Sequence, residues 1–298
     1  MIGKIFKWPS KARMLVNLAF QNPLFRLMSD ESYLKIKYRL KVGKKLNLND
    51  PKGFNEKIQW LKIHEHNKLH TQLVDKYEVR SWVADKIGSE YLVPLIGVYE
   101  ALDQIDFDAL PDQYVLKCSH DSGGVFICHS RQSFDTKKVS KKLKRSLKRN
   151  YYYGGREWQY KHVQPRLICE RLLIEPHTDS VPDYKFMCFN GKVKCSFVCS
   201  ERKQASGLKV DFFDLDWNRM PFERHYKNSN AIIEKPKNYL AMIRLAEILA
   251  EGFRFVRVDF YEVSGRIYFG ELTFHPGSGF ERFSPEYYDE LLGSWIKL

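Results

Sequence analysis

Residues Phe255 to Phe280 read FVRVDFYEVSGRIYFGELTFHPGSGF, and this stretch decides the fold. Polar and apolar side chains alternate in its first half, which puts Arg257, Asp259 and Tyr261 on one face of a β-strand. The second half alternates in the same way as far as Thr273. The pattern therefore predicts two strands that are joined by a short turn and followed by a glycine-rich loop.

Each of these two strands carries a carboxylate near its middle, Asp259 in the first and Glu271 in the second. Burying a carboxylate is costly unless something pairs with it, and Mg²⁺ typically binds one or two carboxylates together with substrate phosphates. A two-residue turn at 264–265 would set Glu271 opposite Val258, whereas a three-residue loop over 264–266 would set it opposite Asp259. The metal interpretation requires the second register. Pairing of the acids with nearby Arg or Lys on a solvated face is an equally open alternative.

A second pattern lies in the middle of the chain, where Tyr114 to Ser119 reads as a strand that carries Lys117. The loop His120 to Gly124 and a second strand, Val125 to Cys128, follow it. Glycines allow a tight loop whose N–H groups approach phosphate oxygens, and a lysine on the preceding strand adds a point charge for the same phosphates. His120 either donates to a phosphate or only holds the loop. The order differs from that of a Walker loop, in which the lysine follows the glycines.

The composition is that of a globular protein with an anionic partner. The chain has 298 residues, 44% of them hydrophobic, and its 49 Lys and Arg against 36 Asp and Glu give a net charge of +13. This length allows two or three tightly joined lobes, and the composition excludes a disordered chain. The charge points to a nucleotide, an acidic glycan, a phospholipid surface or nucleic acid. Six cysteines without zinc-ribbon spacing indicate reduced thiols.

The sequence predicts no membrane-spanning segment, because it contains no run of 18 apolar residues. Its first twenty residues, MIGKIFKWPSKARMLVNLAF, lack the continuous apolar core of a signal peptide. They predict an amphipathic helix that packs on the body of the protein, with a position on a membrane surface as the less favoured alternative.

Three further segments have both a structural and a functional interpretation. Lys137 to Asn150 predicts an amphipathic helix with eight cations in the thirteen residues 137–149. Such a face is usually solvated, but it also suits anionic lipid or an acidic glycan, and no nucleic-acid-binding motif accompanies it. The aromatic run Tyr151 to Tyr160 suits sugar stacking or, more simply, packing between lobes. His64, His66 and His70 lie close together, but without a glutamate-bearing motif they are more typical of a solvated helix end than of a metal site.

The order of these motifs resembles that of ATP-grasp enzymes. Arg257-x-Asp259, Gly270 to Thr273 and Pro276-Gly277-x-Gly279 resemble the C-terminal signature of that superfamily, and the lysine strand, glycine loop and second strand follow its order. A narrower resemblance rests on Phe54 to Leu61, Asp75 to Tyr77, Glu157 to Lys161, Asp183 to Phe186 and Phe269 to Phe274. Over roughly Leu46 to Leu298 the chain is identified as a member of the TupA-like ATP-grasp family, which is associated with bacterial surface polysaccharides.

The resemblance implies the α+β ATP-grasp fold, in which two α+β lobes clamp ATP, preceded here by an N-terminal helical extension. We predict a helical N-terminal segment over residues 1–70 and a helix-rich linker over 71–113. The small lobe is then expected over 114–175, and the large lobe with the Mg²⁺ site over 176–298.

The resemblance also implies which residues bind Mg²⁺ and ATP. Asp259 and Glu271 would hold the metal together with Thr273, at a position where Asn is usual in the superfamily. Arg257 and Lys117 would act at the transferred phosphate. Glu170, Arg171 and Leu172 match the hinge that contacts adenine, and Asp183 is placed like the acid that binds ribose. The full set of implied ATP contacts is Lys76, Lys117, His120, Ser122, Gly123, Gly124, Glu170, Arg171, Leu172, Asp183 and Lys185.

The activity that the resemblance implies is an ATP-dependent carboxylate–amine ligase. Its substrates would be an acidic glycan or sugar precursor, carrying a uronic carboxylate, and an amine or amino acid. We expect a cytoplasmic protein that does not bind nucleic acid, and peripheral contact with the inner membrane surface stays open. The alternatives are a kinase-like phosphotransferase, a glycosyltransferase using Asp214-x-Asp216, and a binding protein that has lost turnover.

Overall fold

The computed structural model describes Phe20 and residues 22–175, 181–201 and 207–298. The amphipathic helix predicted at the N-terminus lies outside these residues, apart from Phe20 at its end. None of the helices in the described ranges is long and apolar enough to cross a bilayer.

Two antiparallel sheets of four and five strands, with helices packed against them, and a third sheet of two short strands organise the described residues. The helices are α1 (Asp30–Val42), α2 (Phe54–His64), α3 (Lys68–Val74), α4 (Val79–Ile87), α5 (Thr136–Leu147), α6 (Tyr152–Gly155), α7 (Tyr239–Ala250) and α8 (Tyr287–Ser294). Short 3₁₀ turns lie at Pro23–Leu27, Ser89–Tyr91, Leu102–Gln104, Arg131–Ser133, Trp158–Tyr160 and Pro276–Gly279. The strands are β1 (Leu95–Tyr99), β2 (Tyr114–Cys118), β3 (Val125–Cys128), β4 (Leu167–Arg171), β5 (Asp183–Phe189), β6 (Lys192–Ser200), β7 (Lys209–Phe213), β8 (Glu223–Arg224), β9 (Phe255–Val263), β10 (Arg266–Thr273) and β11 (Phe283–Ser284).

The smaller sheet has the strand order β1-β4-β2-β3. The apolar side of α5, with Val139 and Leu143, packs on the face of this sheet that carries Leu116 and Cys118. Because side chains alternate along a strand, Lys117 lies on the opposite face of β2. The amphipathic helix and the lysine-bearing strand thus form one lobe, with the lysine on the side away from the helix.

The larger sheet has the order β10-β9-β5-β6-β7, and helices cover both of its faces. Helices α4 and α7 pack on one face, while α2 and α8 pack on the other through Phe54, Phe255 and Leu292. Phe255 at the start of β9 lies under α2, and Arg257 and Asp259 follow on the same face of the strand. Those two residues therefore project from the sheet just beyond the cover of α2.

The cysteines agree with the expectation of reduced thiols. All six are free; five are buried and Cys199 is half-buried. Burial raises the pKa of Cys118, Cys169 and Cys195 to about 12, which keeps these thiols protonated and unreactive.

The prediction that the histidines lie at a solvated helix end is wrong for His70. This side chain is buried, and its ring stacks on Phe274 with 3.9 Å between ring centroids. The helix that contains His64 ends at that residue, and His70 lies in the separate helix α3, whose buried side faces the large sheet. Burial lowers the pKa of His70 to about 4.

We expect this buried histidine to make the protein less stable in acid. Between pH 6.5 and 4 the unfolded chain binds a proton at His70 that the folded chain does not, so the free energy of unfolding falls by up to about 3 kcal/mol as the pH is lowered. Urea unfolding at several pH values measures this slope. His70→Leu removes this part of the slope, while the exposed His64→Leu keeps it; equal slopes in both variants would contradict the assignment.

Candidate active site

The two carboxylates of the deciding stretch lie side by side, but neither register considered from the sequence is correct as it stands. The turn has two residues, Ser264 and Gly265, both with positive φ, so that Arg266 pairs with Val263. A β-bulge at Gly270 then shifts the ladder by one residue, and Glu271 pairs with Asp259. The bulge thus gives the shared face that the metal interpretation needs, without the three-residue loop.

Arg257 and Lys185 neutralise this carboxylate pair. Arg257 donates to both oxygens of Asp259, each at 2.6 Å, and to Glu271 Oε1 at 2.7 Å. Lys185 lies opposite Asp259 in the ladder, contacts its carboxylate, and is 2.7 Å from that of Asp183. The ion pairing offered as the alternative to a metal site is therefore present at the same place.

The two carboxyl groups lie in different surroundings, which shift their pKa values in opposite directions. Burial alone would raise the pKa of Glu271, but Arg257, Lys76 and Lys185 lower it to about 2. Asp259 is almost completely buried, and this burial raises its pKa against the pull of Arg257 and Lys185. Glu271 is ionised at neutral pH, and its side chain is 39% exposed against 2% for Asp259.

The donor set fits Mg²⁺ on the condition that phosphate and water complete its coordination. No group of three or more His, Cys, Asp or Glu side chains suited to a metal occurs in the described ranges. Mg²⁺ that is bound together with a nucleotide, however, usually has only one or two carboxylates as protein ligands. Thr273 Oγ1 donates to Glu271 Oε1 at 3.2 Å, so its hydroxyl orients that carboxylate.

Lysines from the rest of the chain converge on this pair. Lys76 contacts the carbonyl oxygen of Asp121 at the glycine loop. Burial lowers the pKa of Lys76, and the nearby Glu271 opposes that shift while Lys117 adds to it. Lys76 therefore lies close enough to both Glu271 and Lys117 to interact with them electrostatically, an arrangement suited to a polyphosphate.

Glu170 has a different set of contacts from the one implied by the resemblance. Its carboxylate lies 2.6 Å from Lys117 Nζ and 3.2 Å from Arg80 Nη1. The N–H of Arg171 donates to Pro94 O at 2.9 Å. Glu170 thus fixes the position of Lys117, and an adenine contact at the hinge, including Leu172, stays a prediction.

The glycine loop is anchored on one side and open on the other. His120 is buried, and its Nε2 lies 3.0 Å from Ser146 O at the end of α5, which favours the loop-holding interpretation of this residue. Ser122 and Gly123 are exposed. Gly123 has φ +91° with nothing within 4 Å of the place where a Cβ would lie, so the loop tip has room to approach a ligand.

Two groups of residues at this site had no prediction from the sequence. Val125 and Ile127 on β3 are 46% and 45% exposed and pair with Lys117 and Val115, so they form an apolar surface beside the lysine. The sequence contained no signal for this surface, because residues 125–128 are all apolar and only the edge position of β3 leaves two of them exposed.

The second group is a buried polar cluster around Lys62 on α2. Lys62 Nζ donates to Gly155 O at 2.8 Å and to Ser278 O at 2.7 Å, and contacts Gln59 Oε1 and Ser278 Oγ at 3.0 and 2.9 Å. It joins α2 to the aromatic segment and to the turn that follows β10. The detectable signal was a lysine four residues after Ile58, on the buried side of the helix.

Carboxylates paired on one sheet, a lysine and a glycine loop of a second sheet, and a further lysine that contacts this loop define the ATP-grasp class of α+β proteins. The family comparison is more specific: the model of the TupA-like ATP-grasp family matches residues 56–297, and the chain belongs to that family. The predicted family and fold class are confirmed. The roles of individual site residues and the domain boundaries stay predictions. No curated protein sequence matches the chain.

Solved ATP-grasp proteins are similar to the chain in fold at low sequence identity. PsnB, in complex with a phosphomimetic variant of its minimal precursor, Mg and ADP, is 9% identical with a TM-score of 0.43, over 87% of this chain and 65% of that one. D-alanine–D-alanine ligase of Bacillus anthracis with ATP is 14% identical with a TM-score of 0.43, over 78% and 67%. The ligase of Helicobacter pylori is 13% identical with a TM-score of 0.41, over 82% and 69%. The chain spans less than two thirds of the length of PsnB.

Proposed function

We propose that the protein is an ATP-dependent carboxylate–amine ligase. The observation that carries the proposal is the pair Asp259 and Glu271, which share one face of the large sheet, with Lys76 close enough to interact with both Glu271 and Lys117. Membership of the TupA-like ATP-grasp family supports it. Solved proteins of similar fold contain ATP, ADP or Mg, which supports ATP and Mg²⁺ as the cofactors.

The reaction has two steps. An oxygen of the substrate carboxylate attacks the γ-phosphorus of ATP, and the bond from this phosphorus to the bridging oxygen breaks. ADP is the leaving group, and the substrate becomes an acyl phosphate. The nitrogen of the amine then attacks the acyl carbon, the carbon–oxygen bond breaks, inorganic phosphate leaves, and the nitrogen gives up a proton. Positioning and charge neutralisation at the γ-phosphate provide most of the rate enhancement in such transfers.

The side chains of this site have the properties that these steps need. Lys76 and Lys117 would bind phosphate oxygens, and Arg257 and Lys185 would stabilise the charge on the transferred group. Asp259 and Glu271 would hold Mg²⁺, which when bound neutralises phosphate charge. The loop Ser122 to Gly124 would cover the phosphates and exclude water from the acyl phosphate.

The substrates in this proposal are an acidic glycan or sugar precursor and an amine or amino acid. The net charge of +13 supports an acidic substrate, and so does the association of the family with surface polysaccharides. Eight exposed cations lie from Lys137 to Arg149, six of them in helix α5 and two directly after it, and no ion pair within the described ranges involves any of them. This face supports peripheral contact with the inner membrane surface by a cytoplasmic enzyme.

The glycosyltransferase alternative has less support. Its metal site would need the carboxylates of Asp214 and Asp216, but Asp214 Oδ1 accepts hydrogen bonds from the N–H groups of Asp216 at 3.0 Å and Asn218 at 2.7 Å. That carboxylate closes a turn. A kinase-like phosphotransferase would use the same ATP site, so the products of the reaction must distinguish it.

The deciding experiment is an assay of products with ATP, a uronic acid and a panel of amines. A ligase releases ADP and inorganic phosphate in equal amounts and forms one amide for each ATP. When the carboxylate is labelled with ¹⁸O, one labelled oxygen appears in the inorganic phosphate. ADP without inorganic phosphate would mean a kinase, and sugar transfer without ADP a glycosyltransferase; either result would overturn the proposal.

A further inference from the structure

A cavity of about 530 Å³ lies between α3 and the segment that runs from the aromatic turn to β4. Its lining differs from that of the nucleotide site, since it contains neither the Asp259–Glu271 pair nor the glycine loop. One wall consists of α3 residues and the other begins at Trp158. The complete lining is Lys68, Thr71, Gln72, Asp75, Glu78, Trp158, His162, Val163, Gln164 and Arg166.

Trp158 provides a flat apolar surface in this cavity. The ring of His66 stacks on one face of its indole at 4.9 Å and 11°, and the ring of His162 meets it nearly edge-on at 6.2 Å. Since His66 covers one face, the remaining part of the indole lines the cavity. The apolar C–H face of a pyranose ring packs on such a surface, whereas its hydroxyl groups need polar partners.

The polar partners are present and are not used within the protein. In the described part of the chain, the side chains of Thr71 and Gln72 and the indole N–H of Trp158 make no hydrogen bond. Together they offer donors and acceptors around the aromatic surface, as recognition of a polyhydroxylated ring requires.

The charges of the lining select among sugars. Arg166 lies 3.3 Å from Asp75 and 2.8 Å from Glu78, so these three groups are paired with one another. Lys68 has no acidic partner within 4 Å among the described residues and is exposed at the rim. Two positive and two negative groups line the cavity, so its net charge is zero, and Lys68 is the one of the four without an opposite partner in the described ranges. A sugar that carries a carboxylate would pair with Lys68 at the rim.

We propose that this cavity binds one uronic-acid unit of a glycan, outside the reacting centre. The ring packs on Trp158, its hydroxyl groups bond to Thr71 and Gln72, and its carboxylate pairs with Lys68. The choice of a uronic acid over another acidic sugar rests on the proposed function; the existence of the subsite does not.

The cavity lies next to the elements that carry the phosphate-binding lysines. Asp75 at its base directly precedes Lys76, and the N–H of Ser119, beside the glycine loop, donates to Arg166 O at 2.9 Å. The cavity thus adjoins the elements that present the phosphate-binding lysines. A glycan with one unit at the reacting centre would extend through it, so the enzyme would prefer an oligosaccharide to a single sugar.

Binding of trigalacturonic acid, measured by calorimetry without nucleotide, tests this proposal. Trp158→Ala is expected to weaken binding at least about tenfold, because it removes the stacking surface. Trp60→Ala is the matched control, since Trp60 also stacks on a histidine, His64, at 4.2 Å, but lines a different cavity. Lys68→Gln should weaken the binding of trigalacturonic acid more than that of the neutral maltotriose.

The outcomes separate this proposal from that of the ligase. Absence of trigalacturonic acid binding to the wild-type protein, or equal affinity in Trp158→Ala and Trp60→Ala, would overturn the subsite. If Trp158→Ala does not fold, the double variant Gln72→Ala/Lys68→Gln replaces it, because both side chains are exposed. Unchanged affinity of this double variant for trigalacturonic acid would also overturn the subsite. Binding that depends on Trp158, in a protein that forms no amide, would leave the subsite standing and reject only the ligase.

Discussion

Glu271→Gln is expected to reduce ATP-dependent turnover about 10²–10³-fold in a protein that stays folded. The amide has the shape of the carboxylate but not its charge, so the metal would keep only one charged protein ligand. Glu271 is the cleaner of the two acids to change, because its side chain is 39% exposed and, among the residues that the structure describes, it makes one ion pair, with Arg257. ADP release under saturating ATP and Mg²⁺ measures the effect.

Asp259→Asn should lose as much activity and also some stability. Its buried carboxylate compensates both Arg257 and Lys185, and removing one partner of a buried ion pair leaves charges without compensation. Glu262→Gln on the same strand is the matched control, since that side chain lies on the other face and bonds to Asn238 at 2.7 Å. Turnover like that of the wild type in Glu271→Gln or Asp259→Asn would reject the metal site.

Lys62→Met is expected to lower the free energy of unfolding by about 3 kcal/mol, the largest effect on stability that we anticipate for a single side chain. Met matches its length and apolar stem but leaves the carbonyl oxygen of Gly155 without a donor in a buried place, and it removes one of the two donors to Ser278 O, the other being Gln59 Nε2. Lys57→Met on the same helix is the matched control. It loses a single bond, to Ile296 O at 2.7 Å, and should cost about 1 kcal/mol.

The effect of Lys62 should also depend on pH. Burial lowers the pKa of its ammonium to about 7, while the unfolded chain keeps this proton up to about pH 10.5. Between these values the unfolded state binds more protons, so the free-energy difference between wild type and Lys62→Met grows with pH, by up to about 1.4 kcal/mol per unit. Urea unfolding at pH 6, 7, 8 and 9 measures it; a constant difference would contradict the lowered pKa.

The cluster around Lys62 connects stability to the candidate site. The turn that it holds, at Pro276–Gly279, follows directly after the strand of Glu271, and Gly277, Ser278 and Gly279 have positive φ. Two carbonyl bonds from Gln59, to Ser278 at 3.0 Å and Gly279 at 2.7 Å, support the same turn. A variant at Lys62 that still folds should therefore also have lower turnover, because only the Gln59 bonds would then hold this unusual backbone.

Short-range patterns were enough to predict the parts of the site that lie within single elements. Alternation over 255–273 indicated both strands of the hairpin, and the glycines after Lys117 indicated the loop between β2 and β3. The motif resemblance then indicated the family, which the family comparison confirmed. These features depend on neighbours in the chain, since side-chain direction in a strand and backbone freedom in a loop are local properties.

The register of the hairpin, by contrast, was not predictable from its turn. The sequence suggested a choice between two turn lengths, whereas the ladder is corrected further along, by the bulge at Gly270. A bulge weakens strand pairing locally, and the stabilisation that offsets this loss comes from the whole sheet. Strand β9 also pairs with β5, where Lys185 contacts Asp259. No local pattern contains that contribution.

The sequence by itself determined the two strands with their acids, the lysine strand with its glycine loop, and membership of the ATP-grasp class. The tertiary structure decided that Glu170 holds Lys117, that Lys62 is buried among carbonyl groups, and that Trp158 lines a cavity with α3. The first contact joins residues 53 positions apart, and the second joins Lys62 to residues 93 and 216 positions away. A buried polar group needs a hydrogen-bond partner, and that partner can come from any part of the chain that the fold places beside it. Tertiary packing therefore determines these pairs.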